Sequence, residues 1–185
     1  MSRLLPGLLL VALLAGCGTH AAAPVAPTTH SLRPQASPRV VVSAADVRFA
    51  RLVVVEDRED LAADALGERK SSSEALSGAA LRRAHAQTAE ITDAAHILAR
   101  AHARVAQPTS AQRSAWARNY QALVGVAGWR FDAAFTSGTE SRDRAELAAA
   151  RAEIRSAGSS LVKSLAQRIA AQRAAEITKL RTISA

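Results

Sequence analysis

One cysteine in 185 residues rules out an internal disulfide and leaves no thiol cluster for a metal. Aromatic residues make up only 3% of the chain, too few for the stacking platform that single-stranded nucleic acid needs. Glycine and proline are sparse after the first forty residues, with Pro108 the only proline beyond Pro38, which favours helix over sheet. There is no Gly-x-Ser-x-Gly elbow, phosphate-cradling glycine loop or His-Glu-x-x-His pair, so nothing local argues for an enzyme. Acidic residues are outnumbered, 16 against 24 Lys and Arg, for a net charge of +8. The arginines are scattered among acids without a long basic run, so the charge reads as a solvated surface that can meet anionic lipid, with no nucleic acid as partner.

The N-terminus carries a specific signal. Arg3 precedes an apolar run from Leu4 to Leu14, and the stretch closes on Leu14-Ala15-Gly16-Cys17. The run is too short for a comfortable permanent span and reads as a secretory signal over residues 1–16. The small residues before Cys17 resemble the bacterial lipobox, which implies diacylation of that thiol and attachment to the cell membrane or outer membrane. An uncleaved membrane segment is the competing reading. Residues 17–42 hold Pro24, Pro27, Pro34 and Pro38 among Ala, Thr and Ser and are expected to form an extended tether.

The folded part is expected over 43–185 as an all-α domain. Ser43 and Asp46 form a capping box for a helix reaching about Lys70. After Ser71-Ser72-Ser73, a second helix is expected from Glu74 to Ala103, with Leu76, Ala80, Ala84, Ile91, Ala95 and Leu98 along its buried side. A connector over 103–130 is stopped by Pro108 and restarts at Thr109 or Ser110. It carries Trp116, Tyr120 and Leu123 on one face, and its aromatics are expected to cap one end of a bundle. A ligand-binding aromatic cage is the sharper alternative.

From about residue 131 the chain repeats itself at an offset of 86 residues. Asp132 and Phe135 match Asp46 and Phe49, Asp143 matches Asp57, Leu147-Ala148-Ala149 match Leu61-Ala62-Ala63, and Glu176-Ile177-Thr178 match Glu90-Ile91-Thr92. Roughly a third of the aligned positions are identical without a gap, more than shared helical composition supplies. The expected architecture is a four-helix bundle of two hairpins, repeats 46–102 and 131–185, related by a pseudo-twofold axis. Gly138 falls inside the third long helix, where a kink or weak spot is expected.

The Asp-x-x-Phe starts, and the hairpin ends Ala-Gln-Thr-Ala-Glu-Ile and Ala-Gln-Arg-Ala-Ala-Glu-Ile, resemble the bacterial domain-of-unknown-function 305 family over about Asp46 to Ile183. That resemblance implies a ferritin-like bundle of two hairpins in an extracytoplasmic protein, with some members linked to copper. The family places a His-His pair seven residues after the phenylalanine of each half, with methionines nearby, a donor set suited to a soft metal. Here those positions hold Glu56-Asp57 and Arg142-Asp143, and Ala63 and Ala149 stand among the places of the methionines. Copper binding is therefore not carried over, and no metal or cofactor is expected. His85 and His96 lie about 16 Å apart along one helix and cannot share an ion.

Helical geometry places Glu56 at about 340° and Asp60 at about 20° relative to Phe49, with Arg142 and Glu146 equally placed relative to Phe135. The expected site is an inter-repeat ion pair of Glu56 with Arg142, with Asp60 and Glu146 as further acids around Arg142. It would specify hairpin pairing more than stabilise it. The expected function is a non-enzymatic binding or scaffold module, anchored through Cys17 and meeting an envelope protein. The alternative is a metal-handling envelope protein with rebuilt carboxylate or histidine ligands for copper, iron or manganese. That alternative lacks the Glu-x-x-His motifs of di-iron bundles.

Overall fold

A computed structural model of the chain describes residues 41–184. The signal, Cys17 and nearly all of the tether read from the sequence lie outside the described residues. Five helices follow one another: α1 (Ala44–Lys70), α2 (Glu74–Arg100), α3 (Ser110–Val124), α4 (Trp129–Ser156) and α5 (Ser160–Ser184). No described helix is long and apolar enough to cross a membrane. α1 packs along α2 and α4 along α5, and the two hairpins meet through α2 against α5 and α1 against α4. This is the all-α bundle of two hairpins with a short connecting helix.

Local chemistry sets the helix starts. The Ser43 hydroxyl accepts from Asp46 N–H at 3.1 Å while the Asp46 carboxylate accepts from Ser43 N–H at 2.8 Å, a complete capping box. Thr109 and Gln112 repeat the device at α3. α2 ends at Arg100, before the expected Ala103. Ala101 N–H still bonds back to Ile97, and His102 at φ 51° turns the chain out of the helix.

The Asp-x-x-Phe motif has a structural reason in both halves. Asp46 takes the N–H of Gly158 at 3.1 Å, in the turn of the other hairpin. Asp132 takes the N–H and hydroxyl of Ser72 at 3.2 and 2.5 Å, in the turn of the first. Gly158 and Ser72 are themselves 86 residues apart, so each repeat begins by pinning the opposite repeat's turn. The two phenylalanines then enter the core, Phe135 so closely that a Cβ on Gly67 would lie 2.6 Å from its ring. Gly67 thus serves close helix approach rather than a break. α4 is continuous helix through Gly138.

The interior is layered. One apolar cluster, including Phe49, Val54, Leu98, Val162 and Leu165, fills the end where α1 begins. A second, including Leu66, Leu76, Phe131, Phe135 and Leu180, fills the other end. Between them every long helix contributes buried polar or charged side chains: Asp57, Asp60 and Asp64 from α1, Arg83, Gln87 and Glu90 from α2, Thr139 and Asp143 from α4, and Arg173 from α5.

α3 lies outside this bundle, burying only Leu123. Lys70 fastens its end: the ammonium donates to the carbonyls of Leu123, Val124 and Val126 at 3.2, 2.7 and 2.7 Å, a cation at a helix C-terminus. The expected aromatic cap is only partly realised. Phe131 and Phe135 are buried and stacked, with centroids 5.8 Å apart, and Trp116 and Tyr120 are half-buried. Trp129 is 72% exposed, because it is the first residue of α4, where the helix has just left the Gly128 turn.

Candidate functional site

The polar belt is built around two arginines. Arg83, 2% exposed, projects from the first hairpin and donates Nη1 to Asp143 and Glu176, both at 2.6 Å, on the second. Its Nη2 meets Asp60 at 3.0 Å and its Nε meets Asp64 at 3.2 Å. Arg173, fully buried, projects from the second hairpin and donates Nη2 to Asp57 at 3.1 Å and Glu90 at 2.7 Å on the first. Its Nε binds Glu146.

The acid pairs Asp57/Glu90 and Asp143/Glu176 are related by the offset of 86 residues. Each is gripped through one guanidinium nitrogen by an arginine of the opposite hairpin, so the two hairpins brace each other across the pseudo-twofold axis. The arginines themselves are not repeat mates, since Arg173 matches Gln87. The Gln87 amide, oriented with its nitrogen 3.0 Å from Asp64 Oδ2 and its oxygen 3.2 Å from Arg83 Nη2, satisfies both its ends within the belt.

The site residues expected from sequence are distributed differently. Arg142 Nε lies 2.5 Å from Asp60 Oδ1, and Glu56 makes no ion pair among the described residues. Glu56 sits half-buried in the field of Arg142, because Asp60, one turn further along α1, points into the belt and reaches the guanidinium first. Glu146 turns to Arg173 instead of Arg142. Arg142 is the least well bound of the three arginines. It is 23% exposed, its Nε contact with Asp60 is not aligned as a hydrogen bond, and its Nη2 reaches only Thr139 at 3.4 Å.

Arg83 and Arg173 are absent from the expected site. The buried side of α2 runs Leu76, Ala80, Arg83, Gln87, Glu90, Ala94 and Ile97, rather than through Ala84, Ile91 and Ala95. The helical period of that stripe was there to be read. Its centre is polar, however, and polar residues ordinarily mark a solvent face.

Burial dominates the electrostatics. It raises Asp57 to about 9, with Glu90 adding to the shift and Arg173 opposing it. Burial likewise raises Asp64 and Glu146 to about 7 against the pull of Arg83 and Arg173 respectively. Asp143 and Glu176 are raised too, again first by burial. For Arg83 and Arg173 burial works against the charge, but the surrounding carboxylates outweigh it and hold both guanidiniums firmly protonated.

The donor set does not fit the soft metal of the resembling family, since carboxylates and guanidiniums stand where imidazoles and thioethers would be needed. Asp60, Asp143 and Glu146 do bring carboxylate oxygens within 4.8 Å of one another, but each of the three is already ion-paired to arginine. His85, His96 and His102 are exposed. Beside the belt, a half-open groove of about 280 Å³ is lined by Glu59 and Ala62 of α1, Trp116, Tyr120 and Leu123 of α3 and Arg142 of α4.

No family model and no curated protein matches the chain. Among solved structures, it is similar to the crystal structure of a DUF305 fragment from Deinococcus radiodurans, with a TM-score of 0.70 at 15% sequence identity. The match covers 77% of this chain and 96% of that one. The chain thus has the all-helical fold of that DUF305 fragment, with a belt of arginines and carboxylates at its centre.

Proposed function

We propose that the chain is a membrane-anchored, extracytoplasmic helical lipoprotein acting as a non-enzymatic binding or scaffold module, in which an arginine-filled acidic belt replaces a soft-metal site. The observation that carries this reading is the pair of buried guanidiniums, each gripped by acids of the opposite hairpin. A guanidinium with four or five carboxylate neighbours supplies from within the chain the positive charge that a metal would bring. Its donors are committed to holding the two hairpins in register, a use of buried charge that favours specificity over raw stability.

The anchor rests on the lipobox-like Leu-Ala-Gly-Cys17 and the proline-rich tether, which together would hold the bundle at the outer face of a membrane. The exposed Trp129 and Val124 at the α3–α4 corner offer an apolar contact for an envelope protein.

The test is elemental analysis of the purified chain after exposure to copper, iron and manganese and removal of loose metal. The reading expects far less than one equivalent of each. Stoichiometric metal would sink it in favour of a metal-handling protein with rebuilt ligands. Cys17→Ser should abolish incorporation of labelled fatty acid, and crosslinking in the native envelope would identify the partner.

A further inference from the structure

The belt holds more negative charge than positive. Arg83, Arg142 and Arg173 face seven carboxylates: Asp60, Asp64, Asp143 and Glu176 around Arg83, and Asp57, Glu90 and Glu146 around Arg173. With all of them ionised, four negative charges would be left over in an interior that strongly opposes unpaired charge.

The geometry shows where the excess sits. Asp57 and Glu90 both accept from the same nitrogen of Arg173, at 3.1 and 2.7 Å, so both carboxyl groups meet at one guanidinium corner. Asp57 Oδ2 and Glu90 Oε1 are both buried and both without a hydrogen-bond partner. Two adjacent acids, each with a free buried oxygen, are the arrangement in which one proton satisfies both, as donor on one side and bound charge on the other.

We infer that the Asp57–Glu90 pair is a proton-binding site, in which Asp57 carries a proton at neutral pH, donates it from Oδ2 to Oε1 of Glu90, and loosens the junction between hairpins when it is lost. Asp60 on α1, Glu146 on α4 and Glu176 on α5 all face the pair with like charge, against the single guanidinium of Arg173 from α5. The raised titration of Asp57 agrees with this placement. The repeat-related pair Asp143/Glu176 is a weaker version, since only Asp143 Oδ2 is left without a partner and Glu176 reaches the surface with 19% exposure.

The inference rests on the reading that arginines and not a metal fill the belt. A carboxyl whose folded pKa lies above its unfolded one stabilises the fold at low pH, and that contribution is lost as pH rises toward the folded value. For Asp57 the window runs from about 4 to about 9.

The test uses the full chain in metal-free buffer, melted between about pH 6 and pH 9, with infrared detection of a protonated carboxyl. The melting temperature should fall by about 5 °C or more across that range. The buried carboxyl band should be present at neutral pH and vanish at the alkaline end. In Asp57→Asn, which keeps a neutral donor, the slope should shrink and the band should weaken. Because Asp64 and Glu146 are also raised, to about 7, the part of the band and of the melting slope that belongs to Asp57 is the part above about pH 8. Should Asp57→Asn not fold, Glu90→Gln, which removes the charge that holds the proton, should shrink that same part, and an unchanged alkaline part overturns the proton site. A flat or rising melting profile, or a band unchanged by pH, overturns the proton site alone. Stoichiometric divalent metal on the purified chain overturns both the proton site and the metal-free belt beneath it.

Discussion

Replacing Arg173 with methionine probes the bracing of the two hairpins from one side. The guanidinium is fully buried and binds Asp57, Glu90 and Glu146, so Arg173→Met leaves three buried acid side chains without their guanidinium while the methionine stem keeps much of the packing. Removing one partner of a buried ion pair costs about 3–5 kcal/mol. At about 2–4 °C per kcal/mol for a domain near this size, the melting temperature should drop on the order of 10 °C at pH 8.

The sign of the pH effect follows from the same acids. Burial already raises Asp57 and Glu146, and loss of the Arg173 charge raises them further, so these stranded carboxyls take up protons as pH falls and the deficit narrows toward pH 5. Paired melts of the variant and wild type by circular dichroism at both pH values read this directly. A variant within about 2 °C of wild type at pH 8, or a deficit that widens on acidification, would refute the reasoning.

Four further outcomes follow. Gly67→Val should destabilise the bundle by about 1–3 kcal/mol in urea denaturation, because its Cβ has no room against Phe135 and Ala80. Asp46→Ala and Asp132→Ala should each cost about 1–2 kcal/mol and add in the double variant, since they pin turns at opposite ends of the bundle. Lys70→Met should speed amide exchange in α3 with little change in global melting, because the ammonium holds the C-terminal carbonyls of a helix that buries only Leu123. Arg168→Met, which breaks an exposed pair with Asp93, should stay within about 0.5 kcal/mol of wild type and serves as the control for the buried arginines.

Much of the fold was legible because it is written in local chemistry and repetition. The capping residues at Ser43 and Thr109 announce helix starts, the serine cluster announces a turn, and the offset of 86 residues announces two hairpins. The repeat even singled out Asp46 and Asp132, though not that each binds the other half's turn, which is a long-range contact with no local signature. The belt was half legible. Helical geometry puts Asp60 and Glu146 on the inward face, where they are found, but the repeat symmetry that pairs Arg142 with Glu56 overlooks Asp60, whose carboxylate meets the Arg142 guanidinium. Arg83 and Arg173 were missed because an arginine in a helical stripe ordinarily marks solvent. What overrides that rule is the column of acids opposite, Asp57, Asp60 and Asp64 at matching height on α1. Reading one helix at a time hides such complementarity between helices.

The central claim is that the arginine of one hairpin is energetically coupled to the acid of the other. A double-mutant cycle between Arg173→Gln and Glu90→Gln, measured by urea denaturation at neutral pH, tests it most directly, because the two side chains belong to different repeats and meet at 2.7 Å in the interior. The account predicts a coupling energy on the order of 2 kcal/mol, as for a buried hydrogen bond between charged groups. Additive effects, to within about 0.5 kcal/mol, would contradict it.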